Sequence, residues 1–194
     1  SNYETSNLVF PKDFRELSIP MGMMTLSPSG ESRKETYIEN FETIAEDQNE
    51  EGQPAQIPFY FGSHYSNPIY VVHYLTRLFP YSHISIELQG DKFDKAGRLF
   101  LNVGNSFNGA ASSKGDVREL IPEFYYLPEM FVNVNELNLG STQEGASVDN
   151  AICPVWSRGD PYRFVCMMRK WIESEEVSKI INEWMDLIFG YKQR

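Results

Sequence analysis

IPEFYYLPEMF, residues 121–131, and IPFYFGSHYSNP, residues 57–68, decide how this chain folds. Both are too aromatic for exposed loops. Both are also punctuated by proline, which removes a backbone donor, and the 57–68 stretch by Gly62 as well, which costs about 1 kcal/mol in a helix, so neither is a long helix or a central strand. The expectation is a buried, irregular backbone whose N–H and C=O groups no ladder satisfies. Each such group left unpaired costs roughly 1–3 kcal/mol. Polar side chains in or beside the stretches are therefore expected to bond the main chain: Ser63, His64, Ser66 and Asn67 in one, and Glu123, Glu129 and Asn133 in or just after the other.

Helical patterns surround these stretches. Tyr37, Ile38, Phe41, Ile44 and Ala45 recur at i, i+1, i+4, i+7 and i+8, predicting a one-faced helix over residues 31–45. Eight carboxylates between residues 31 and 51 face only Arg33 and Lys34, so this segment is strongly acidic. An acidic loop follows at about residues 46–56. Asn67 and Pro68 read as a cap and first helical position, with Val71, Val72, Leu75, Leu78 and Phe79 carrying the helix to Pro80. Ile84, Ile86 and Leu88 alternate with polar residues and predict one short strand, and residues 116–120 a short helix. A loose hairpin is expected from residues 136–139 and 148–152. Asp160 and Pro161 open a helix that buries Phe164, Val165, Met168, Trp171 and Ile172, with a break near Ser174. A last helix carries Val177, Ile180, Ile181, Trp184, Leu187 and Ile188, with Gly190 as its left-handed terminator. The fold class is mainly α, multihelical, with irregular core segments and minor β-structure, in one domain over residues 1–194.

Composition narrows the function. A net charge of −10 repels phosphate backbones and anionic lipid, which argues against nucleic-acid binding and against an autonomous lipid binder. Charges and prolines interrupt the apolar stretches well before the roughly 18 residues of a membrane span, so direct membrane insertion is not expected. No basic, apolar leader opens the chain, and the cytoplasm is the expected location. Cys153 and Cys166 do not form a secreted disulfide framework and are expected as buried free thiols.

Chemistry-bearing residues are sparse. Gly62, Ser63 and His64 suggest a hydrolase or lipid-acting enzyme, but adjacent residues do not normally place a hydroxyl on the neighbouring imidazole, and G-x-S-x-G is absent. That enzyme stands as the alternative reading. His64, His73, His83 and Cys153 lack metal-ligand spacing, no phosphate-binding glycine loop is present, and no cofactor is expected. Glu123 and Glu129 form a conceivable acid–base pair but are better placed as acceptors for buried N–H groups. Trp171 and Trp184 fall on helical apolar faces, whereas Trp156, in a loop, is a candidate partner-surface residue together with Glu35, Glu39 and Glu42 on the acidic helix.

Several unusual strings occur in one order: FRELSIPMG (14–22), PFYFGSHYS (58–66), HYLTRLFPY (73–81), LQGDKFDKAGRLF (88–100), DVRELIPEFYYLPEMFVN (116–133) and RKWIESEEVSKIINEWMDLIFGYKQ (169–193). Together they resemble the BEACH domain almost end to end. Departures occur at Ile19, where lysine is common, at Gly97, where aspartate is common, and at Trp171, where alanine is common. The resemblance implies a mainly helical domain with irregular central segments and no known chemistry. It also implies a large cytosolic scaffold acting in vesicle trafficking and membrane dynamics, lysosome-related organelles and autophagy. In such scaffolds a PH-like domain precedes the BEACH domain and a WD-repeat domain follows it, and other trafficking proteins are partners. Against that pattern the chain reads as the middle of the domain, incomplete at both ends.

Overall fold

Proline-led turns organise the stretch that the sequence marks as buried and irregular. In the computed structural model, which describes residues 8–9, 13–24, 30–46, 57–58, 68–90, 96–113 and 118–193, the stretch 121–131 forms two successive one-turn 3-10 helices, Pro122–Tyr125 and Pro128–Phe131. Proline suits the first position of each, because its fixed φ is helical and its missing N–H would have no partner there. Backbone bonds within the turns answer many of the groups that the sequence assigns to side chains: Phe124 N–H donates to Ile121 O at 3.1 Å, Leu127 N–H to Glu123 O at 2.9 Å and Val132 N–H to Glu129 O at 3.0 Å. The stretch is thus buried, as expected, but locally ordered.

The described residues form seven α-helices: α1 (Gly30–Glu46), α2 (Pro68–Tyr74), α3 (Tyr81–Leu88), α4 (Val103–Ser112), α5 (Pro161–Ile172), α6 (Glu175–Ser178) and α7 (Ile181–Ile188). Among the described residues β-structure is confined to single bridges, Asn102 with Ile152 and Ser141 with Ser147. The second of these spans the turn at Gly140 and Gly145, whose φ values of 80° and 85° would strain a side chain, but the expected hairpin segments 136–139 and 148–152 form no ladder with each other. The architecture is mainly α.

The chain groups into two compact units. The first comprises Ser1–Arg15, Asn67–Phe107 and Leu120–Ser178. Its core is a continuous run of rings. Tyr74 meets Phe124 edge-on at 5.0 Å, Phe124 meets Phe131 at 5.5 Å, and Phe131 meets Phe164 at 5.1 Å. Phe164 then stacks on Trp156 at 5.4 Å, and Phe14 stacks on Trp171 at 4.9 Å. Each such pair contributes about 0.5–1.5 kcal/mol beyond its buried area. Helix α5 supplies this core because its cap is well made: Asp160 Oδ1 accepts from Tyr162 N–H at 2.9 Å, and Phe164, Val165, Met168 and Trp171 then fall on one buried face. A smaller aliphatic cluster joins Ala96, Leu99, Leu139 and Val148.

The second unit comprises Glu16–Ser66, Asn108–Glu119 and Lys179–Arg194. Helix α1 buries Tyr37 and half-buries Ile38, Phe41 and Ile44 of the stripe read from sequence, while Ala45 is exposed, and α7 buries Trp184 and Ile188. Arg33 is fully buried on α1; its Nη2 donates to the carbonyl oxygen of Ala110 and its Nε to the Tyr37 hydroxyl at 3.4 Å.

Four further expectations are corrected. The α2 helix stops at Tyr74 rather than Phe79, because the chain turns at 75–80 to bring Arg77 inside and because Pro80 disfavours helical backbone at the residue before it. Phe79 is consequently exposed, and the Phe79–Pro80 peptide is cis. Residues 84–88 are helical, not a strand. Residues 118–120 carry no helix, residues 116–117 lying outside the described set. The last helix is two, α6 and α7, and Gly190 is not left-handed; it is needed for space, since a Cβ there would lie 2.7 Å from Asp186 Cα.

Candidate protein-interaction surface

Arg77 is the polar centre of the first unit. It is fully buried in the turn between α2 and α3, where Nε donates to Asp149 O at 2.8 Å and Nη1 to Phe100 O at 2.7 Å. Its own carbonyl accepts from Asn135 Nδ2 at 2.9 Å. Burial pulls the guanidinium down from 12.5 to about 10, opposed by the nearby Asp149 carboxylate, so it stays charged at neutral pH. One residue thereby ties three remote segments, two through its side chain and one through its carbonyl. The sequence signal for it was a single cation inside the apolar run HYLTRLFPY.

Asn133, named from sequence, extends this framework. Its Nδ2 donates to Leu137 O and to Asp149 Oδ1, both at 2.9 Å, and its Oδ1 accepts from Leu137 N–H at 3.0 Å. Asn150 Oδ1 accepts from the Asn133 N–H at 2.7 Å. Glu123 is half-buried, and the Tyr126 pKa is raised first by desolvation and then by the Glu123 charge. Glu129 is half-buried in the second proline-led turn. Ser63, His64, Ser66 and Asn67 lie outside the described residues, as does most of the acidic loop after α1.

Trp156 is corrected as a surface candidate. It is 4% exposed, with its ring 6.3 Å from Phe14 and stacked on Phe164, so it fills the aromatic core. Glu35, Glu39 and Glu42 are exposed on α1. Of the two thiols, Cys153 is buried as expected, its pKa pushed up to about 12, first by burial and then by Asp160, whereas Cys166, expected to be buried, is exposed on the outer face of α5. A buried thiol held this firmly protonated is a poor nucleophile. Among the described residues, no group of three His, Cys, Asp or Glu side chains is placed to hold a metal, and no helix is long and apolar enough to cross a membrane.

Helix α3 reverses the usual pattern. Its inward positions are Ser82 and Ser85, both buried. Ser85 Oγ accepts from Thr76 Oγ1 at 3.0 Å and from Gln89 Nε2 at 3.1 Å, forming a small interior hydroxyl network. Ile84 and Leu88, one helical turn apart, are 39% and 58% exposed, and Phe79, 51% exposed, lies edge-on to His83 at 4.9 Å. The alternation that predicts a strand thus comes from apolar side chains that face outward. Buried hydroxyls beneath exposed hydrocarbon are the informative combination, because solvent contact alone gives no reason for it.

Comparison with known proteins identifies the family. The Beige/BEACH domain family matches residues 1–194. The chain is 41% identical over 197 residues to Beige protein homolog 1 of Saccharomyces cerevisiae, covering 100% of the chain and 9% of the relative. It is 42% identical over 197 residues to BEACH domain-containing protein B of Arabidopsis thaliana, covering 100% of the chain and 7% of that protein. It is 41% identical over 192 residues to WD repeat- and FYVE domain-containing protein 4 of Homo sapiens, covering 98% of the chain and 6% of that protein. The chain therefore spans a small part of the length of these large relatives. With a full-length family match and relatives at this level of identity, the chain belongs to the Beige/BEACH domain family.

Proposed function

We propose that this domain is a non-enzymatic protein-interaction module of a large cytosolic scaffold acting in vesicle trafficking and membrane dynamics, and that it docks on an adjacent PH-like domain. The carrying observation is the outward hydrocarbon of α3: Phe79, Ile84 and Leu88 stand exposed over a helix whose inward face is Ser82 and Ser85. A protein surface that covers these three side chains gains the hydrophobic contribution that the isolated chain forgoes, about 25 cal/mol per Å² removed from water. The printed name of the human relative adds WD repeats to the domains found alongside such a chain. We therefore infer a WD-repeat domain as a second neighbour within the same long protein.

The test is direct binding of this chain to a PH-like domain from a BEACH protein, by calorimetry. Capture that weakens in Ile84→Ser/Leu88→Ser supports the proposal. Absence of capture, or hydrolysis of an ester or phosphate substrate that depends on Ser63 and His64, contradicts it.

A further inference from the structure

The N-terminal end of α5 carries charges that helix stability does not favour. Arg163 lies in the first turn of α5, where the helix dipole favours carboxylates over cations. Arg158 caps the preceding Val155–Ser157 turn at φ 58°, a left-handed conformation that glycine or asparagine adopts more readily. Both arginines are exposed, and neither forms an ion pair among the described residues. The two carboxylates within residues 155–173 are engaged elsewhere: Asp160 Oδ1 accepts from Tyr162 N–H at 2.9 Å, and Glu173 pairs with Arg169 at 3.0 Å. Val155 and Tyr162 stand largely exposed beside these arginines, and Lys170 follows Arg163 two turns along the outer face of α5. In a chain of net charge −10, this is a local basic surface with apolar side chains set into it.

We infer that this surface docks an acidic peptide segment of a protein partner, one that alternates carboxylates with apolar residues. Planar guanidinium groups at 158 and 163 take carboxylates through paired N–H···O bonds, while Tyr162 and Val155 receive the apolar side chains. The net charge favours a peptide over a lipid surface. A flat anionic membrane feels the whole molecule's negative field, whereas a narrow peptide samples only the charges within a Debye length, about 8 Å at physiological salt. The inference deepens the protein-interaction reading and rests on it, but it uses a different face from α3.

Fluorescence anisotropy tests it with the whole chain and three probes: a labelled Glu/Asp/Leu peptide, its Gln/Asn/Leu counterpart, and phosphatidylcholine vesicles containing phosphatidylserine. The expected result is binding of the acidic peptide that weakens with added salt and falls at least about tenfold in Arg158→Asn/Arg163→Gln, with unchanged thermal unfolding. Equal binding of the uncharged peptide, or acidic-peptide binding that the double variant leaves intact, overturns the inference. Vesicle binding without peptide binding overturns it in favour of lipid. Should the double variant unfold, amide shift changes on wild-type chain decide: shifts on residues 155–170 support the site, and shifts elsewhere overturn it. No peptide binding with PH-like capture intact removes this surface alone; absence of both removes the protein-interaction reading as well.

Discussion

Arg77 Nη1 lies 2.7 Å from the carbonyl oxygen of Phe100, inside the aromatic core. A charged group is held there because main-chain carbonyls of remote loops need a donor that no ladder provides. Replacing Arg77 with methionine keeps the volume and strands the carbonyls of Phe100 and Asp149. The expected loss is about 2–4 kcal/mol, read as a lower urea midpoint with the slope unchanged. A midpoint shift worth less than about 0.5 kcal/mol contradicts this role.

Asn133 works on the same loops from the other side. Asn133→Ala removes its bonds to Leu137 and Asp149, and the expected cost is about 1–3 kcal/mol by the same measurement. Asn133→Asp loses the amide donor and brings a second carboxylate against Asp149, which stands 2.9 Å from the present amide nitrogen. It should destabilise as well, although it preserves size.

Helix α3 predicts an inversion of the ordinary rule for substitutions. Leu88→Ser, at an exposed site, should change stability by less than about 0.5 kcal/mol. Ser85→Leu, at a buried site bonded to Thr76 and Gln89, should cost about 1–3 kcal/mol through overpacking and lost hydrogen bonds. Thermal unfolding of the two variants side by side checks both outcomes.

The cysteines separate by burial. Under native conditions one thiol per chain, Cys166, should react with a disulfide reagent, and Cys153 should react only on unfolding. The pH dependence follows from the raised Cys153 pKa, from 9.0 to about 12 in the folded chain. Below the lower value both states hold the proton. Between the two values the folded state alone retains it, so stability falls as pH rises through that window, by at most about 1.4 kcal/mol per unit from this group. Cys153→Ala should flatten that slope in denaturation curves measured above pH 9.

Much of the fold was legible because periodic burial and capping are local properties. The α5 helix follows from Asp160, Pro161 and the spacing of Phe164, Val165, Met168 and Trp171, and α1 follows from its one apolar stripe. Family membership was legible through ordered strings such as LIPEFYYLPE. The early stop of α2 was not, because it depends on Arg77 reaching carbonyls 23 and 72 residues away. The α3 face was misread because outward hydrocarbon imitates a half-buried strand. Gly190 was correctly singled out for the wrong reason: contact with Asp186, rather than handedness, excludes a side chain there. At the candidate site, Glu35, Glu39 and Glu42 remain exposed, whereas Trp156 needed three-dimensional packing to be placed inside.

Hydrogen–deuterium exchange of this chain, alone and with a PH-like domain from a BEACH protein, tests the interaction account most directly. Slower exchange confined to amides of residues 79–90 is the predicted result. Unchanged exchange across those residues, with protection arising elsewhere in the chain, would contradict it.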